Sequence, residues 1–259
     1  MPRLVLLCLA LCLSAPVFGQ VMSGPTPRID RDTGRSLAHW PHDRHFDHLH
    51  MRLELDLESL DPPVIRGREV LRMKAVGQDR GQIHLDAVGL EIESVDVRWT
   101  SDARDRLRPG RAVGYTYDGQ DLVISLSKPA GVGEPIEVIL EYRITRFEPR
   151  GEGLTIEPGQ PDADSDSLRF PVIFSQGEAE SNSQWFACHD FPNERLSTEL
   201  IVTVDEPFQV VSNGRLVEVR PLGHGRTRWH WLQQAPHVNY LVQLVIGVFE
   251  RVDLGGPDS

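Results

Sequence analysis

Gln176 and Glu178 stand two residues apart in FSQGEAESNSQWFACHDFPNE, the stretch from Phe174 to Glu194, with Gly177 between them. In an extended segment, side chains two apart emerge on the same side. That side then carries an amide carbonyl and a carboxylate, and the glycine lets another molecule approach the backbone closely. Such a pair suits a small cation with several N–H donors, for instance a free ammonium group. On residue types alone, a plain surface loop is the simpler reading. Cys188 lies beside His189 in this stretch, but adjacent strand residues point to opposite faces. No thiolate–imidazole pair is therefore expected, and Cys188 reads as a small buried hydrophobe.

Other residues invite chemistry and fail on spacing. His42, His45, His48 and His50 crowd together, and His48 and His50, on one strand face, could reach one ion. No nearby cysteine or carboxylate pattern completes a tetrahedral set, so they read as ordinary strand and leader histidines. Asp162, Asp164 and Asp166 have the spacing of a calcium loop. The glycine expected at the sixth position is Ser167, and the bidentate glutamate expected at the twelfth is Ile173. That run reads as a solvated loop. There is no G-x-S-x-G nucleophile elbow, phosphate loop or dinucleotide fingerprint.

The elements that must position these side chains are strands. In HLHMRLELDLES, Leu49, Met51, Leu53, Leu55 and Leu57 alternate with His48, His50, Arg52, Glu54 and Asp56. Period two marks a strand with one buried face. Leu71, Met73 and Ala75, then Leu122, Ile124 and Leu126, then Ile136 to Ile144 repeat it, and TELIVTV buries Leu200, Val202 and Val204. Turn signals separate the runs: Asp61-Pro62-Pro63, Arg108-Pro109-Gly110, Asp118-Gly119 and Pro129-Ala130-Gly131. Asn213-Gly214 predicts a hairpin between two β-branched runs, and NYLVQLVIGVFE a strand covered on both faces. No amphipathic helix longer than about three turns and no repeat appears. The expected fold is all-β, an antiparallel, multi-stranded, saddle-like β-sandwich.

Residues 1–19 read as a signal peptide: Arg3, an apolar run from Leu4 to Leu13, and small residues Val17 and Gly19 before the cleavage point. The run is too short to span a bilayer, so the chain is expected to be exported, to the periplasm or the extracellular medium, without a membrane anchor. Cys8 and Cys12 leave with the signal, and Cys188 is then alone, with no internal disulfide open to it. Residues 20–41 are expected to be a flexible leader, 42–252 a β domain and 253–259 a tail. The net charge of −11 disfavours phosphate backbones and anionic lipid heads, so neither nucleic acid nor membrane is an expected partner.

The segment FSQGEAESNSQWFACHDFPNERLSTELIVTV, with the later VVSNG and PHVNYLVQLVIGVFE, resembles the amino-terminal domain of the aminopeptidase N-like zinc metallopeptidases. In that family a Gln-x-Glu segment precedes an aromatic-Pro-Cys-x-Asp-x-Pro turn and a strand. The start HDRHFDHLHMRLELDL is similar to its first strand, and the likeness runs from about His42 to Glu250. Ala187 replaces a proline frequent in the family. The resemblance implies a β domain packed over a catalytic domain at the substrate cleft. By it, Glu178 pairs with the free α-amine of a peptide and Gln176 orients the first residue, while Asp190 and Pro192 shape the turn. A carboxylate there rewards a free amino terminus and rejects a blocked one.

The family's zinc sits on a helical H-E-x-x-H segment with a later glutamate, next to G-x-M-E-N. Neither motif occurs here, and no histidine is followed by glutamate. The chain is therefore expected to hold no cofactor, to have no catalytic residue or metal ligand, and to be inactive alone. Zinc is expected only in a catalytic domain missing from this chain, and that separate domain or chain is the implied partner besides the peptide. The alternative is a free-standing, non-catalytic peptide-binding or scaffold module derived from the same domain.

Overall fold

A computed structural model describes residues 43–100, 111–147, 152–159, 170–250 and 252. The chain divides into Met1–Trp40 and Pro41–Ser259, and the described residues all belong to the second unit. The signal and leader segments, His42, the turn at Arg108-Pro109-Gly110, the aspartates Asp162, Asp164 and Asp166, and the tail lie outside the described residues.

The structure is built from strands: β1 (Phe46–Leu60), β2 (Pro63–Ala75), β3 (Arg80–Asp86), β4 (Glu91–Trp99), β5 (Arg111–Ala112), β6 (Gly114–Tyr117), β7 (Asp121–Ala130) and β8 (Pro135–Ile144). There follow β9 (Gly153–Glu157), β10 (Val172–Gln176), β11 (Arg195–Asp205), β12 (Gln209–Ser212), β13 (Arg215–Gly223), β14 (Arg226–Val238) and β15 (Leu244–Gly247). Short 3-10 turns at Asn182–Gln184 and Asn239–Leu241 are the only helical pieces among the described residues. The strands form an eight-stranded sheet in the order β13-β14-β11-β1-β2-β8-β4-β5, a four-stranded sheet β12-β15-β10-β9 and a three-stranded sheet β3-β7-β6. Among the described residues all strand pairings are antiparallel except β1 with β11. That parallel pair joins strands far apart in the chain, as a parallel ladder requires.

The alternation read from the sequence sets the layers. Met51, Leu53, Leu55 and Leu57 of β1 are buried, whereas Arg52, Glu54 and Asp56 are only partly covered. The inward face of the large sheet and residues of both smaller sheets, including Leu122, Leu154, Ile173 and Leu244, form one apolar cluster. The result is a layered all-β domain.

Three local expectations are corrected. His48 and His50 do not share a face: a bulge inserts Leu49, so His48 pairs with Met73 and His50 with Arg72. The extra residue flips the alternation, and His48 turns inward with Phe46 while His50 stays half-buried. Asn213-Gly214 does not close a hairpin. β12 pairs with β15 and β13 with β14, so this turn carries the chain from one sheet to another. Positive φ is needed there, at +81° for Gly214, and a Cβ would meet the Leu232 carbonyl. NYLVQLVIGVFE is a 3-10 turn followed by the short β15, not one long strand. By contrast Asp118-Gly119 closes a hairpin between β6 and β7, with the Asp118 carboxylate accepting from the Gln120 and Asp121 N–H groups at 2.8 and 2.7 Å.

Candidate functional site

Gln176 ends β10, where it pairs with Gly153 of β9. Glu178 opens the next turn, closed by the Ser181 N–H donating to the Gly177 carbonyl at 3.1 Å, and the Glu178–Ala179 peptide is cis. Gln176 and Glu178 are exposed and Gly177 between them is buried. Neither side chain has a hydrogen bond or ion pair with another described residue. Gly177 is required by close approach: a Cβ would lie 2.5–2.6 Å from the amide of Asn182.

The residues beneath form a closed polar network. The fully buried Asn182 donates to the Asn239 carbonyl at 2.6 Å and accepts from the Trp185 indole at 2.7 Å. Asp190 accepts from the Ser183 N–H at 2.9 Å and from the Asn239 amide at 2.8 Å, and its own N–H donates to Asp86 at 2.8 Å. Asp86 and Cys188 exchange backbone hydrogen bonds, which ties the segment to the end of β3. From the large sheet, Tyr142 donates to the Trp185 carbonyl at 2.9 Å, and Glu69 accepts from the Ala187 N–H at 2.9 Å. Irregular backbone inside a core needs such partners, and here side chains supply them. The exposed pair therefore stands on a fixed base.

The electrostatics of that base are structural. Burial pushes the Glu69 carboxyl up to about 8, against a smaller opposing pull from the Ala187 N–H, so it is mainly neutral at pH 7. Burial, then the charges of Asp190 and Asp86, push the Cys188 thiol well up. With the Asn239 amide donating to its Sγ at 3.4 Å, Cys188 is a buried packing residue without thiolate character. His189 turns elsewhere, its Nε2 2.8 Å from Asn193 Oδ1 and its ring 6.4 Å from that of His48.

Sequence reasoning missed Asn182, Asn239, Glu69 and Asp86. The first two occupy irregular turns with no period to reveal an inward side chain. Glu69 is the exception visible in principle: it falls on the apolar face of the GREVLRMKA alternation. Among the described residues no group of three or more His, Cys, Asp or Glu could hold a metal ion.

A layered β domain that offers an exposed amide–carboxylate pair from a buried polar turn is the class defined by this fold and site. The family model described as Peptidase M1 N-terminal domain matches residues 44–241, and the chain belongs to that family. It is 26% identical over 224 residues to Aminopeptidase B of Homo sapiens, covering 82% of this chain and 33% of that protein. It is 22% identical over 242 residues to Leucine aminopeptidase 2 of Vanderwaltozyma polyspora, covering 92% of this chain and 34% of that one. The chain thus spans about a third of the length of these relatives. Among solved structures, an M1 zinc metallopeptidase from Deinococcus radiodurans superposes with a TM-score of 0.64 at 19% identity, over 80% of this chain and 43% of that one. A mutant of it bound to a Tyr-Ser-Ala substrate gives 0.63 at 20%, over 79% and 43%. These likenesses are of fold.

Proposed function

We propose that this β domain anchors the free amino end of a peptide for an exported M1-type aminopeptidase. Glu178 takes the α-ammonium as a charge-assisted pair, and the Gln176 amide orients the first residue. Zinc chemistry, in this reading, belongs to a separate catalytic domain. The observation carrying the reading is the exposure of both side chains, without partners among the described residues, around a glycine held against Asn182. Membership of the M1 family, and a relative's structure with a Tyr-Ser-Ala substrate, favour a peptide as the ligand class.

The test is a titration of the chain with an apolar dipeptide and its N-acetyl form. A charge-assisted hydrogen bond is worth about 1.5–3 kcal/mol, so the free amine should bind roughly ten- to a hundredfold tighter. Glu178→Gln should erase that preference while leaving the acetylated form unchanged. Equal binding of the two ligands by the native chain would sink the reading. Aminoacyl substrates should not be hydrolysed with or without added zinc, and zinc-dependent turnover would overturn the division of labour.

A further inference from the structure

The open face of the large sheet is a lattice of charges with one member left over. A groove of ≈ 330 Å³ crosses β11, β1, β2, β8 and β4 on this face, lined by four arginines and three glutamates. Each glutamate is engaged. Glu54 accepts from Arg52 at 2.9 Å and from Arg68 at 3.4 Å. Glu137 takes Arg98 at 2.5 and 2.9 Å. Glu199 lies 2.7 Å from the His230 ring nitrogen and 3.4 Å from Arg52. That leaves Arg72.

Arg72 stands across from His50 on β1 and Glu137 on β8, but Glu137 is held by Arg98 from the next strand. The His50 Nδ1 is spent on Ser197 at 2.8 Å. Arg72 is half-buried, and its Nε is shielded from solvent with no hydrogen-bond partner. Among the described residues it has no ion pair. A half-buried guanidinium without an acceptor loses solvation and gains nothing in return. Two residues along β2, Val70 lines the same groove and gives it an apolar patch beside the cation.

We propose that this groove is a binding site for a carboxylate carrying a short apolar body, with Arg72 as its anchor. The planar guanidinium matches a carboxylate through parallel N–H donors on its terminal nitrogens, which face the groove lining while the Nε behind them stays shielded. The volume sits at the small end of ligand pockets, which suits a small organic acid or the carboxyl end of a peptide. The site lies on β2 of the large sheet, apart from Gln176 at the end of β10 in the four-stranded sheet and Glu178 in the turn after it, and does not rest on the amine reading.

The experiment follows side-chain Nε–H resonances of the full chain during titration with butyrate, with N-acetyl-Ala-Val bearing a free carboxyl end, and with its C-terminal amide. The acetyl group keeps these peptide probes from the proposed amine site. The Arg72 signal should move saturably, and Arg72→Gln, with unchanged unfolding behaviour, should weaken binding roughly tenfold, the loss of about one charge-assisted hydrogen bond. Arg215→Gln on the exposed β13 should leave binding unchanged. Binding of butyrate alone assigns a free acid, and binding of the acetylated peptide but not its amide assigns a peptide terminus. Either supports the site. An Arg72 signal that moves no more than that of Arg215, undiminished binding to Arg72→Gln, or equal binding of inorganic phosphate would overturn it.

Discussion

Gly177 is the residue on which the candidate site turns, because it separates Gln176 from Glu178 and touches the network below. Its lack of a side chain is steric rather than conformational, since the Asn182 amide occupies the place a Cβ would take. Asn182 cannot step aside cheaply while it binds the Asn239 carbonyl on one side and the Trp185 indole on the other. Gly177→Ala should therefore destabilise the fold by about 1–3 kcal/mol, the usual cost of overpacking a close-fitted interior. It should also weaken ammonium selectivity, because the turn carrying Glu178 must shift. Urea unfolding and the dipeptide titration measure the two effects on one sample. A stability loss within a few tenths of a kcal/mol would mean that Asn182 is free to move.

At the scale of elements, the 3-10 turn Asn239–Leu241 between β14 and β15 holds the site segment in place. The Asn239 amide donates to Asp190, to the His189 carbonyl at 3.2 Å and to the Cys188 sulfur. Asn239→Asp keeps the shape, removes those donors and sets a second carboxylate against Asp190. Breaking a buried charged contact in this way should cost about 3 kcal/mol or more at pH 7. The loss should shrink in acid as a carboxyl takes up a proton, and denaturant unfolding at two pH values checks the sign. This turn also marks where the sequence stops being legible. Strands such as β1, β2, β8 and β11 announce themselves through alternation, and Gln176 and Glu178 through their types and spacing. Asn213-Gly214 shows only that the backbone takes positive φ; which strands then pair is decided by burial elsewhere. The Leu49 bulge adds one residue to a pattern that reads as perfectly regular, so the inward turn of His48 leaves no trace. Asn182 and Asn239 sit in aperiodic backbone, where inward and outward look alike.

For the whole molecule, two buried groups of opposite kind shape how stability follows pH. Burial, then the neighbouring charges of His189 and Arg44, lowers His48 from 6.5 to about 3, so it is folded in as a neutral ring. Its depressed value gives stability that is full above 6.5 and lost as pH falls toward 3. Glu69 is raised from 4.5 to about 8, so its folded form keeps a proton that the unfolded chain gives up. That contribution is full below 4.5 and lost as pH rises through 8. Each slope is about 1.4 kcal/mol per pH unit, and between 4.5 and 6.5 the two oppose and cancel. From these two groups stability should be flat across that window, falling below it as His48 resists charging and above it as Glu69 resists ionising. Glu69→Gln isolates the second limb: the amide still accepts from the Ala187 N–H and has no proton to lose. The variant should match the native chain within about 1 kcal/mol at pH 5 and exceed it by roughly 4 kcal/mol at pH 8. Denaturant unfolding followed from pH 5 to 8 on both proteins decides it, since parallel curves would show that Glu69 ionises in the folded state without penalty.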